Sequence, residues 1–228
     1  HGQTPRRQVF RRRRHALGIQ MHGDAALDAR NPRNLLAQAA RGLGRPLRLE
    51  LSRAEMFTQV GRRSPTVQRL RVAADDDGRL AGIVHDALGE TWPYSDFSDA
   101  TCSATRMLYA CPNVLTRHRV VRVHAPQSYP MRAPGHGPGE FALESALDEV
   151  AVALGIDPLA LRERNFAGHD PQSGLPWSSN GLRECWRTGA RAFGWADRPK
   201  RGTGRDGRWL TGCGMASVTY PYYRQASE

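Results

Sequence analysis

Between Tyr129 and Glu149 the chain runs YPMRAPGHGPGEFALESALDE, the stretch richest in residues that could do chemistry. Gly135, Gly137 and Gly139 alternate with His136 and Pro138 immediately before a helical pattern. Glycines so placed let another molecule approach the main chain and leave backbone N–H groups exposed. The start of a helix adds a partial positive charge, and Arg132 adds a permanent one. The combination favours an anion, such as an oxo ligand or a phosphate group. The plainer alternative is a Gly/Pro turn leading into a surface helix. Neither a Walker-type loop nor a dinucleotide fingerprint occurs in this segment. His136 is a candidate ligand contact, or a polar loop residue. Glu140, Glu144 and Asp148 recur every fourth residue, with Glu149 next. Carboxylates at that spacing share one helix face, which is expected to be solvated or paired with arginines rather than catalytic.

The elements that must position this segment are legible on both sides of it. Asn31-Pro32 suits a helix start, and Leu35, Leu36, Ala39, Ala40 and Leu43 follow at helical spacing until Gly42 and Gly44. Leu47, Leu49 and Leu51 alternate with polar residues and predict a strand. Ser52 and Glu55 form a capping-box pattern for a short helix over 54–60. Asp77-Gly78 between the alternating run at 69–74 and the run at 80–88 predicts a β-hairpin. A strand is expected over 114–123. The helix over 140–154 is expected to turn Phe141, Leu143, Ala146, Leu147, Val150, Ala151 and Leu154 inward, with Gly155 ending it. Asp157-Pro158 predicts a short helix to Asn165, 168–181 a connection, 182–193 a helix and 209–218 a strand. Strands and helices interspersed with a hairpin give an α+β fold.

Composition narrows the function classes. No apolar run approaches the roughly 20 residues that span a bilayer, so no membrane span is expected. The formal charge is +11, with Lys200 the only lysine. Arg6, Arg7 and Arg11 to Arg14 supply six of these charges, leaving +5 elsewhere, so no basic stripe runs through the rest. Nucleic acid is therefore an alternative resting on residues 6–14 alone. Residues 1–30 lack periodicity and are expected to be a disordered lead. The pair at 6 and 7 is not followed by the apolar region of a twin-arginine signal. Cys102, Cys111, Cys185 and Cys213 show neither C-x-x-C nor zinc-finger spacing, and the first two are expected to be unreactive thiols.

Several motifs in fixed order resemble the molybdopterin-binding large subunit of the xanthine dehydrogenase and aldehyde oxidase family. They are Gly44 to Leu49 (G-R-P-L-R-L, against the family's G-R-P-V-R-L), Ser52 to Glu55, Gly61-x-Arg63-x-Pro65, Asp77 to Leu80 and Tyr109 to Asn113. Arg132 to Gly135, Gly139 to Glu144, Asp148-Glu149, Leu154 to Pro158 and Arg162 to Asn165 complete the series. The resemblance covers about 31–228. It implies partial molybdopterin-binding domains with hairpins and packed helices: the C-terminal part of a first domain over 31–167 and the start of a second over 168–228. It also implies a molybdenum-molybdopterin cofactor, oxidation of an aldehyde or N-heterocycle with water-derived oxygen, and iron–sulfur and FAD-binding subunits as partners. By this resemblance Arg132, Ala133, Pro134 and Gly135 contact the cofactor, with Ala133 and Pro134 bordering the substrate.

The departures matter equally. The family's catalytic glutamate lies far downstream in a G-x-G-E-type motif that these residues are expected not to reach, and its G-G-x-F-G motif has no match in 1–30. The purine-oxidising branch carries an aromatic residue where Pro134 stands, which argues against a purine. The chain is thus expected to be a fragment, inactive by itself, with no catalytic residue and no metal ligand of its own. A non-catalytic remnant that only contacts electron-transfer subunits is the third alternative.

Overall fold

The computed structural model describes residues 32–94 and 96–220. The Arg-rich lead, the Asn31 cap and the nucleic-acid reading of residues 6–14 lie outside the described residues. The chain divides into two compact units between Val60 and Gly61. In the first, α1 (Pro32–Leu43) forms where its apolar spacing places it and α2 (Arg53–Gln59) where its cap does. Ser52 and Glu55 close the expected capping box, each side chain bonding the other's backbone N–H. The strand expected over 47–51 does not form. Leu49 is exposed, and no described strand pairs with this segment, so its alternation has no ladder to join.

The second unit is built on a three-stranded sheet, β1 (Val67–Ala74), β2 (Leu80–Thr91) and β3 (Val114–Arg122), in the order β1-β2-β3. The β1–β2 pair is the expected hairpin, with Val67 opposite Leu88. Asp75 accepts the Gly78 N–H through its carbonyl and the Arg79 N–H through its carboxylate, and Gly78 takes φ 80°. A side chain there would also strike Ile156 and Leu161. β3 pairs with β2 in parallel, Ile83 opposite Val114. Parallel pairing demands a crossover, and α3 (Ser103–Met107) lies on it. The sequence pattern did not suggest this five-residue helix.

α4 (His136–Leu154) packs on β1 and α3. It starts at His136, four residues before the apolar spacing indicates, and ends on Gly155 in the left-handed conformation. α5 (Pro158–Arg164) is capped by the Asp157 carboxylate, which accepts the N–H groups of Leu159 and Ala160. α6 (Leu182–Phe193) ends on left-handed Gly194. Leu80, Ile83, Ala104, Leu108, Tyr109, Leu143, Leu147, Ala151, Leu161 and Trp186 form one core. The fold is α+β.

Two expectations fail here. Only Trp209–Leu210 of the expected 209–218 strand is paired: as β5 it meets β4 (Arg205–Asp206) in a minimal hairpin. The inward face of α4 is also not the purely apolar one. Phe141 is 77% exposed, whereas Glu140 and Glu144 are 5% and 4% exposed. The buried stripe runs through 136, 140, 143, 144, 147 and 151, because polar partners from other elements meet the two glutamates.

Candidate cofactor site

The turn at Arg132–Gly135 is held through its main chain. Arg63 donates from Nη2 to the Arg132 carbonyl at 2.6 Å and from Nη1 to the Ala133 carbonyl at 3.4 Å. The G-x-R-x-P and R-x-x-G motifs, some 70 residues apart, are thus one structure. Ala133 has φ 52°, the only described non-glycine residue at positive φ. That conformation costs on the order of 1 kcal/mol, and Arg63 is what holds it. In a trans peptide the N–H points opposite the carbonyl. With the Arg132 carbonyl on Arg63, the Ala133 N–H faces away from it, and Pro134 brings no donor.

The glycines that follow are there for lack of room. A Cβ on Gly135, which has φ 72°, would lie 2.4 Å from the Ala100 nitrogen. One on Gly139 would lie 1.8 Å from the Thr101 carbonyl oxygen. Gly137 has no such neighbour, the nearest atom being an Arg63 nitrogen at 3.6 Å. The turn and the start of α4 are therefore pressed against residues 100–101, just ahead of α3.

The amides at this helix end are largely committed, unlike the open nest that the glycine spacing suggests. The Gly135 backbone hydrogen-bonds the Asp99 carboxylate, Gly137 N–H donates to the Ala133 carbonyl and Gly139 N–H to that of Gly135. Asp99 is itself the anion at this terminus. Burial pushes its pKa up, against the pull of Arg63, of the Gly135 bond and of His118. The Arg132 side chain is exposed and has no ion pair among the described residues. What the turn offers is main chain rather than a charged pocket.

Around it lie buried polar atoms without a protein partner: Asp99 Oδ2, Thr101 Oγ1 and Ser128 Oγ. Orphaned groups of this kind are rare in a finished core. Unpaired buried polar atoms beside a turn whose main chain is held in place suit a polar ligand, and these residues would fit a pterin-type cofactor.

His136, expected in the loop, is instead the first residue of α4 and is 3% exposed. Its ring packs against Tyr220 at 5.0 Å, and Nδ1 lies 3.5 Å from Glu140 Oε1. The carboxylate face of α4 is indeed paired with an arginine, but inside the protein. Arg162 reaches Glu144 and Asp148, each at 2.8 Å. Tyr109 donates to Glu144 at 2.6 Å, and burial beside that carboxylate raises the phenol's pKa far above its usual range. Glu149 is exposed. The buried Cys102 thiol is raised to about 11, chiefly by burial, so it is unreactive as expected. Cys111, half-buried, is raised too.

The residue that sequence reasoning missed is Arg63. Its motif was visible, but only folding brings it to the turn. His85 was also missed. It stands at an inward position of β2, fully buried between Thr105 Oγ1 at 2.7 Å and Gln68 Oε1 at 2.9 Å. Gly202-x-Gly204-x-x-Gly207 has dinucleotide-loop spacing. It lies at the β4–β5 hairpin rather than between a strand and a helix, so it lacks the helix terminus that binds a pyrophosphate.

The model of the molybdopterin cofactor-binding domain family matches residues 28–166. The chain belongs to this family. Among its relatives, the aldehyde oxidoreductase molybdenum-binding subunit PaoC of Escherichia coli K12 is 38% identical over 185 residues, which are 80% of this chain and 25% of that protein. The putative xanthine dehydrogenase molybdenum-binding subunit XdhA of the same organism is 31% identical over 184 residues, 78% of this chain and 24% of that one. Among solved structures, the aldehyde oxidoreductase of Desulfovibrio gigas superposes with a TM-score of 0.60 at 29% identity, over 72% of this chain and 18% of that one. The chain thus spans about a quarter of the length of the curated relatives it matches. The molybdopterin-binding domain reading, its cofactor and the α+β fold agree with the sequence motifs. The relatives are named as molybdenum-binding subunits, a description that places them in larger assemblies.

Proposed function

We propose that this chain contributes the Arg132–Gly135 wall of the cofactor site in a molybdenum hydroxylase that oxidises an aldehyde or an N-heterocycle. The observation that carries the reading is the Arg63 clamp on the Arg132 and Ala133 carbonyls, beside Gly135 and Gly139, which leave no space for side chains. When bound, the molybdenum cofactor supplies two-electron oxidation with oxygen from water. The chain's own part is to hold the main chain of the turn still, to present one N–H and to border the substrate with Ala133 and Pro134. Pro134 is apolar and offers no aromatic ring on which to stack a purine.

The domain boundary near 167 belongs to the same reading and is supported by the end of the family match at residue 166. So do an iron–sulfur subunit and an FAD-binding subunit as electron acceptors, since the oxidation releases two electrons that must leave the site. No described cluster of His, Cys, Asp and Glu could hold a metal.

The test is to purify the 228-residue chain from cells that make the cofactor and to measure bound molybdenum and pterin fluorescence. Retention in the wild type and loss in Arg63→Met, with the fold intact by circular dichroism, is the expected result. Equal retention in both sinks the role given to Arg63 and the turn. Aldehyde oxidation with an artificial electron acceptor is expected to be absent from the chain alone. Molybdenum-dependent turnover would show that these residues suffice and overturn the reading of a partial site.

A further inference from the structure

Residues 214–220 form no strand, yet their exposure alternates: Met215, Ser217 and Thr219 turn inward while 214, 216, 218 and 220 turn out. That period of two marks an extended segment. Its inward N–H groups go to a helix. Ser217 N–H donates to Glu144 Oε2 at 2.9 Å and Thr219 N–H to Glu140 Oε1 at 2.8 Å. The spacings agree, since four residues of helix rise about 6 Å and two of an extended chain about 6.6 Å. The order is inverted, so the segment runs antiparallel to α4, towards the helix start and the Arg132–Gly135 turn. The Trp186 indole N–H fixes the far end by donating to Ser217 Oγ at 2.7 Å. At the near end Tyr220 packs on His136, the residue after Gly135, and remains 63% exposed.

From this geometry we infer that Glu140 and Glu144 are positioning residues: they dock residues 217–220 along α4 as a further wall of the cofactor site and set Tyr220 beside the turn. The two carboxylates do for this segment what a neighbouring strand does in a sheet. A buried carboxylate is costly without partners. Glu144 has Arg162, Tyr109 and Ser217. Glu140 has the Thr219 N–H and His136, with Glu144 the like charge nearby; burial raises its pKa while that N–H and His136 pull it down. Among the described residues, its place in the buried stripe is explained by the docked segment together with His136. That the wall serves the cofactor site rests on the reading of the turn given above.

Hydrogen exchange of the apo chain tests the docking without the cofactor, so its failure leaves the cofactor reading standing. Glu140→Leu removes the acceptor, and Glu140→Gln keeps one. The Thr219 amide is expected to exchange at least ~10-fold faster in the leucine variant and to be restored towards the wild-type rate by glutamine. Unchanged Thr219 protection in Glu140→Leu overturns the proposal. If that variant does not fold, Thr219→Pro deletes only the donor. The His136 ring resonances, shifted by the Tyr220 ring in the wild type, are then expected to move to the values seen in Tyr220→Ala. Resonances identical in the wild type and Thr219→Pro overturn it equally.

Discussion

Arg162 donates its Nε to Glu144 Oε2 at 2.8 Å, and the arginine side chain is wholly inaccessible. Two residues from separate family motifs are therefore one buried ion pair, completed by Asp148, the Pro158 carbonyl and Tyr109. Removing one member leaves an uncompensated charge in the core. Arg162→Met is expected to cost about 3–5 kcal/mol, read as a lower midpoint of thermal unfolding. Glu144→Met combined with Arg162→Met is expected to cost less than the sum of the single changes, since neither charge is then stranded. Strict additivity would show that the pair does not interact.

Asn165 ties the hairpin turn to α5. Its Oδ1 accepts the Leu80 N–H, and its Nδ2 donates to the Gly78 and Leu161 carbonyls, all at 2.8 Å. Asn165→Ala leaves these buried groups unsatisfied and is expected to cost about 2–4 kcal/mol. The urea midpoint should fall with an unchanged slope. A fall of a few tenths would mean that water replaces the amide.

The glycines of the site separate by space. Gly139→Ala forces a Cβ onto the Thr101 carbonyl and is expected to cost about 3 kcal/mol or more. Gly137→Ala meets nothing closer than 3.6 Å, sits inside α4 and is expected to stabilise by about 0.5 kcal/mol. Equal effects of the two substitutions on unfolding would contradict the packing of α4 on residues 100–101.

His85 gives a pH signature. Burial lowers its pKa from 6.5 to about 4, against the pull of Asp86 and with a smaller push from His118. The folded state prefers the neutral ring, so this contribution is complete above pH 6.5 and is lost as the pH falls towards 4. The loss is expected to reach about 3 kcal/mol. His85→Gln keeps an amide between Thr105 and Gln68 without a titrating proton. Its stability should vary less than the wild type's between pH 7 and 4. Parallel pH profiles would remove His85 as the cause.

The amino-acid sequence by itself determined the local elements and the family. Capping and turn chemistry act over a few residues, so Ser52 with Glu55, Asp77-Gly78, Gly155 and Asp157-Pro158 set α2, the hairpin and the ends of α4 and α5. The order of the motifs carried the molybdopterin-binding reading. Tertiary structure decided everything that needs a distant partner. The Leu47–Leu51 alternation found no strand to pair with, and beyond Leu210 the expected 209–218 strand is unpaired, the Ser217 amide going to the Glu144 carboxylate instead of a sheet. Glu140 and Glu144 lie on the inner face of α4 because an arginine and two backbone amides meet them there, and no periodicity of one helix records its partners. Arg63 could be placed at the Arg132–Gly135 turn only once the chain had folded. The glycine turn, open to an anion by its spacing, proved to have most of its amides committed, because the Asp99 carboxylate and the Ala133 and Gly135 carbonyls take them once the chain has folded.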